Sequence, residues 1–330
     1  MNLAERHAPR VILHASEEFA PMKADQFISQ SCLVWRQSDT EWEAVVGPGE
    51  VDPDRLGIHS LDPYTYVEMG ETFSTKDLTR PFEAEGAAGL ALEKGFALVN
   101  QQASPGLITT PSELEQAVGT TPMYCEMRRD GKCTLISYWL FFGSSSLPTH
   151  WKRARMGRIR GWFVDFKDLA RLLRRGQAHQ GDWEGLTLEI SEHGEIARMY
   201  VRAHHDGEVV VPPSADPRPT VYCALGSHAC FVSPNSPNPE GDEIPVTGVT
   251  WDPLASTGQL VDATTQPWYG FGGGWGDPDL DQGINVDFRR RDLAGPLGPG
   301  PHKRIWRKED VVVAGGAALR GDEPNTADDV

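Results

Sequence analysis

Nowhere along the 330 residues does an apolar run approach the ~20 residues needed to cross a bilayer. Met1 to Arg10 carry charges and lack an apolar stretch of the secretory kind, so the sequence predicts a soluble, unexported, cytoplasmic protein without a transmembrane segment. Cysteine is sparse. Cys32, Cys125, Cys133, Cys223 and Cys230 are odd in number and form no CxxC pair, which predicts reduced thiols rather than a disulfide framework or a zinc knuckle. Basic residues are in deficit, 31 against 47 acidic, and the formal charge of -16 argues against a protein that coats nucleic acid. No internal repeat is present.

Long uninterrupted helical patterns are also missing, because 34 Gly and 25 Pro break the chain into short apolar segments. With 39% hydrophobic and 24% charged residues, the chain has enough apolar material for a core. The pattern predicts a mainly β protein, a β-sandwich of antiparallel sheets with a few short helices and long Gly/Pro-rich loops. Residues 1–319 read as a single domain and Arg320 to Val330 as a disordered acidic tail. Predicted strands are Arg10 to His14, Cys32 to Arg36, Cys133 to Phe142, Trp183 to Ile190, Ile196 to Ala203, Thr220 to Leu225 and Ile305 to Ala314. The segments at 133–142, 183–190, 196–203 and 220–225 are expected to be adjacent in antiparallel sheets. One helix is expected over Asp165 to Gly176, with Phe166, Leu169, Leu172 and Leu173 on one stripe, and another over Ser112 to Val118, opened by the Ser-Glu-Leu-Glu pattern.

The strongest chemical signal lies in Ala178 to Ile190. Strand alternation places Asp182, Glu184, Leu186, Leu188 and Ile190 on one face, so two carboxylates share a leucine face. Carboxylates turned toward a core need a hydrogen bond, a proton or a cation, and a divalent ion would satisfy both. His179, just before the strand, could complete a mixed N/O shell, giving a candidate metal set of His179, Asp182 and Glu184. The metal is not distinguishable among Mg, Ca, Mn and Zn. From spacing alone, pairing of Asp182 and Glu184 with arginines of the preceding helix is an equal alternative. Other histidines stand at predicted strand ends: His204 and His205 after the Ile196 strand, and His228 after the Thr220 strand. Strand phase favours His205 for the core face.

Gly-Asp-Trp-Glu-x-x-Thr-Leu-x-Ile, with a His three residues before the Asp, resembles the vacuolar protein sorting-associated protein 62 family. Several other blocks are similar to that family: His14-Ala-Ser-Glu-Glu-Phe-Ala-Pro21, Ser137-Tyr-Trp-Leu-Phe-Phe, Tyr200-Val-Arg-Ala-His204 and Val221 to Phe231, over most of residues 10 to 280. The His-x-x-Asp-Trp-Glu core is also similar to the heptapeptide of the necrosis-inducing protein family. That resemblance implies a β-sandwich holding a divalent cation through His179, Asp182 and Glu184. The heptapeptide's second His is Gly181 here, and the secretion signal of a cytolysin is absent. The family resemblance favours His204 over His205.

Nine basic residues fall between Lys152 and Arg175, immediately before the motif. They read either as a solvated helix face or as a dock for an anionic group, with Arg171, Arg174 and Arg175 as substrate-binding candidates. Trp268 to Pro278 is Gly-rich but precedes no helix and lacks Lys-Ser/Thr, which predicts a rim loop and not a phosphate cradle. Together these features predict a metal-dependent enzyme, a hydrolase or lyase, acting on a small anionic or ester substrate. The ion would polarise an oxygen or activate water, while Glu184, His204 or His228 moves the proton. The alternatives are a cytolysin-like module that bridges a lipid or glycan headgroup through its metal, and a purely structural metal site.

Overall fold

The computed structural model describes residues 2–36, 42–57, 65–66, 71–72, 96–102, 104–146, 177–203, 206–210, 217–238, 241–255, 259–271, 273–276, 298–299 and 312–313. The first strands are β1 (Arg10–His14), β2 (Ser31–Arg36), β3 (Trp42–Val46), β4 (Thr65–Tyr66), β5 (Glu71–Thr72) and β6 (Phe96–Asn100). The longest come next: β7 (Met123–Asp130), β8 (Cys133–Ser146), β9 (Gln177–Ile190), β10 (Ile196–Ala203) and β11 (Asp206–Val210). Short strands β12 (Thr220–Cys223), β13 (Cys230–Phe231), β14 (Gly248–Trp251), β15 (Leu260–Asp262), β16 (Gly274–Trp275) and β17 (Val312–Val313) follow. The described α-helices are α1 (Leu3–His7), α2 (Ala24–Ser29) and α3 (Pro111–Thr120).

A central seven-stranded sheet has the order β15-β7-β8-β9-β10-β11-β17. Its two faces bury different partners, and the sequence of β8 explains how. Ile136, Tyr138, Leu140 and Phe142 turn to one side, with Leu186, Leu188 and Ile190 of β9, and pack against Val11, Leu13, Val221 and Trp251 of the sheet β13-β12-β1-β14. Trp139 and Phe141 turn to the other side with Trp183, and pack against Phe27 of α2 and Leu33, Leu98 and Trp275 of the sheet β16-β6-β2-β3. The result is a β-sandwich of three layers. A strand covered on both faces needs apolar residues at successive positions, as the Tyr-Trp-Leu-Phe-Phe run of β8 supplies. Each fully buried Leu or Ile of β9 contributes about 1.5–3 kcal/mol over its exposed state.

The expected mainly β architecture is what forms, with two corrections. The sheets are mixed: β1 runs parallel to β12, β15 to β7, β16 to β6 and β17 to β11. The segments at 133–142, 183–190 and 196–203 are antiparallel neighbours, but the strand at Thr220 lies in the facing layer and pairs with β1. Four residues with alternating burial identify a strand without naming its neighbour.

Helix α3 begins one residue before the predicted start. Its capping box is formed by Thr110 with Glu113, not by Ser112 with Glu115, because Pro111 occupies the first helical turn. The expected rim loop after Trp268 is core instead: Trp268, Tyr269, Phe271 and Trp275 are buried, and Gly274–Trp275 pairs with β6. The predicted helix at 165–176, most of the last predicted strand and the acidic tail lie outside the described residues.

Candidate functional site

Asp182 and Glu184 do share the face of Leu186, Leu188 and Ile190, as strand alternation requires, and β9 registers Asp182 opposite Phe142 and Glu184 opposite Leu140. What meets Asp182 there is not His179 but His228, carried by the turn between β12 and β13. The His228 Nδ1 lies 2.8 Å from Asp182 Oδ2. Its Nε2 lies 3.4 Å from Glu17 Oε1, an ion-pair contact rather than an aligned hydrogen bond. Phe142 stacks flat on the ring, with centroids 3.8 Å apart and planes 3° from parallel. The imidazole has 0% exposure, and Asp182 and Glu17 retain only 4% and 6%.

Local backbone chemistry sets these groups in place. Glu17 follows β1 in a turn closed by its own N–H donating to His14 O. Glu17 Oε1 accepts from the N–H of Glu18 at 2.8 Å and of Phe19 at 3.0 Å, and Oε2 accepts from Gly226 N–H at 2.8 Å. His228 has φ 56°, a left-handed conformation that costs a non-glycine residue about 1 kcal/mol or more and persists only where surrounding contacts enforce it. Its N–H donates to Ala224 O, and its own carbonyl accepts from the thiols of Cys223 and Cys230 at 3.3 and 3.6 Å.

Burial alone would drive the imidazole neutral. The negative charge of Glu17, the hydrogen bond to Asp182 and the Asp182 charge outweigh that effect, and the His228 pKa is pushed up to about 10. Burial also acts to raise the Glu17 pKa. The charge of His228, with the N–H groups of Gly226 and Phe19, wins here too and holds it below the usual carboxylate value. The geometry therefore sets an imidazolium where the inward carboxyl groups call for a buried cation.

This overturns the expected metal centre. Among the described residues, no group of three or more His, Cys, Asp or Glu side chains is arranged to hold a metal ion. The physical reason is visible at each proposed ligand. The His179 Nδ1 donates to its own strand at Gly181 O, 2.8 Å away, and lies 3.2 Å from Gln180 O. Asp182 is engaged by His228, while Glu184 is only partly buried. The heptapeptide's second His has no room at Gly181: φ is +59°, and a Cβ there would lie 2.0 Å from Trp275 O. Beside it, Gln180 ties β9 to β6, its Nε2 donating to Asn100 O and Gln102 O and its Oε1 accepting from Asn100 N–H.

Of the other candidates, His228 joins Asp182, whereas His204, Arg171, Arg174 and Arg175 lie outside the described residues. Glu17 lies inside the His14 to Pro21 block but carries no signal of its own in the sequence. A Glu-Glu pair leading into Phe-Ala-Pro offers no period that marks one carboxylate as buried.

The family model described as Vacuolar protein sorting-associated protein 62 matches residues 164–267. The family resemblance is shown over that segment. It contains β9, β10 and the turn of His228, and so supplies two members of the triplet; Glu17 and the aromatic run of β8 lie before it. No curated protein and no solved structure matches the chain. Among the described residues, no helix is long and apolar enough to cross a membrane.

Proposed function

We propose that this chain is a recognition module whose rigid frame is locked by the Glu17–His228–Asp182 triplet and whose ligand is an anionic small molecule or a negatively charged lipid or glycan headgroup. The carrying observation is the complete burial of His228. A group that exchanges protons with a substrate must touch it, and this imidazole touches Phe142, Asp182 and Glu17 instead. The triplet fastens the turn after β1 and the β12–β13 turn, both of one layer, to the first half of β9 in the central layer. Fixing three segments in one geometry is the contribution a binding surface needs from its frame.

The anionic character of the ligand rests on the sequence. Nine basic residues between Lys152 and Arg175 interrupt a chain of formal charge -16, and guanidinium groups bind carboxylate, sulfate and phosphate oxygens in pairs. Arg171, Arg174 and Arg175 are assigned the docking role. The test is co-sedimentation with vesicles of phosphatidylserine and phosphatidylcholine against phosphatidylcholine alone, alongside titration with inorganic phosphate. Binding to at least one anionic probe, lost in Arg171→Gln/Arg174→Gln/Arg175→Gln at unchanged melting temperature, is expected. Failure of both probes, or equal binding by the variant, would overturn the assignment.

A further inference from the structure

The β12–β13 hairpin holds a feature that neither the fold nor the ligand reading uses. Cys223 and Cys230 are directly opposed on adjacent antiparallel strands. The next pair toward the turn, Ala224 and Ala229, carries a ladder hydrogen bond, so the two cysteines occupy a non-hydrogen-bonded position. Opposed residues there have Cα atoms about 4.5 Å apart, closer than at hydrogen-bonded positions. That lies within the Cα separation a disulfide spans. The two sulfurs converge on a single acceptor, both thiols donating to the His228 carbonyl at 3.3 and 3.6 Å. Both residues are buried at 1% exposure, and all five cysteines are free. The others offer no such pairing, since Cys125 and Cys133 oppose Tyr138 and Asp130, and Cys32 opposes Val99.

We propose that Cys223 and Cys230 are a redox modification site, a dithiol closed to a cross-strand disulfide by a small-molecule disulfide such as oxidised glutathione. One cysteine thiolate attacks the small disulfide, forming a mixed disulfide and releasing one small thiolate. The second cysteine then attacks the protein sulfur of that mixed disulfide and releases the other. Two electrons pass from the cysteines to the oxidant, and the two thiol protons end on the two small thiols, so atoms and charge balance. The bond encloses the turn that carries His228 and removes both S–H donors from its carbonyl. The hairpin's redox state is thereby coupled to the backbone that presents the imidazole to Glu17 and Asp182. Burial raises the Cys223 thiol well above its ordinary value, so attack in the folded state is slow and closure proceeds fastest while the hairpin is still opening or folding.

The claim is independent of the ligand reading. The full chain is incubated with oxidised and reduced glutathione at increasing ratio, both folded and during refolding from denaturant, then quenched in acid, denatured, alkylated and mapped. Under refolding, the expected product lacks two alkylatable thiols and yields one cross-linked peptide joining Cys223 to Cys230, with Cys32, Cys125 and Cys133 alkylated. Cys32→Ser/Cys133→Ser, altered away from the hairpin, should give the same cross-link, and Cys230→Ser should give none. Full alkylation of Cys223 and Cys230 in a refolded chain, stable mixed disulfides at either, or pairing of either with another cysteine would overturn the proposal.

Discussion

Asp182 and Trp183 are neighbours on β9 and point to opposite faces of the central sheet, and each face solves burial differently. On the Trp183 side, volume decides. Trp183 lies 4.5 Å from Phe141, 5.2 Å from Trp275 and 5.4 Å from Trp268 between ring centroids, in tilted and edge-on arrangements. On the Asp182 side, charge decides, because two carboxyl groups flank one imidazole in a space that water does not reach. The contrast shows that adjacent residues of one strand can sit in cores obeying different energetics. An aromatic core tolerates changes of pH and suffers from loss of volume. An ionic core tolerates little change of charge at any volume.

The largest effect should come from emptying the aromatic side. Trp183→Ala is expected to cost about 4 kcal/mol in chemical denaturation, by the same amount at pH 6 and pH 9. A pH-dependent loss would break the comparison. Next comes His228→Leu, which leaves Glu17 and Asp182 without their cation and should cost about 3 kcal/mol at pH 6. The His228 pKa is raised from 6.5 to about 10, so its stabilisation is complete below about pH 6.5 and is lost as pH rises through about 10. The gap between wild type and His228→Leu should therefore narrow steadily across that window, as denaturation at a series of pH values would show.

Glu17→Gln should cost less, about 2 kcal/mol at neutral pH, because the amide oxygen can still accept backbone hydrogen bonds. The sign with pH is opposite. Glu17 has a lowered pKa, so its contribution is present above about 4.5 and disappears as pH falls through its folded value. Wild type and Glu17→Gln should converge in acid, and a constant gap between their acid denaturation curves would contradict the ion-pair account. The smallest expected change lies outside both faces. Thr110→Ala removes the side-chain half of the α3 capping box and should cost about 1 kcal/mol at any neutral pH, a control for variants that merely loosen the chain.

Much of the frame was legible in the sequence. Arg10–His14 and Ile196–Ala203 form strands with their predicted bounds, and the shared face of Asp182, Glu184 and Leu186 follows from the two-residue period alone. The demand for a cation beside Asp182 was legible too, since it follows from burying carboxyl groups. The cation's identity was not. His228 lies 46 residues along the chain, on a turn whose sheet pairs with β1 in parallel, and periodicity carries no information about such a partner. The same limit applies to Glu17, which reaches the site through the turn after β1. The Gly-rich segment after Trp268 misled for a different reason. Glycine density suggests a loop, while the burial of Trp268, Phe271 and Trp275 turns it into core.

The central claim is that a permanently charged imidazole at position 228, and not a metal ion, neutralises the buried carboxyl groups. NMR titration of the ring nitrogens, assigned by comparison with His228→Gln, tests it directly. The account predicts an imidazolium signal for His228 that persists through neutral pH and is lost only near pH 10. A His228 that titrates near the ordinary value of about 6.5, or is neutral throughout, would contradict it.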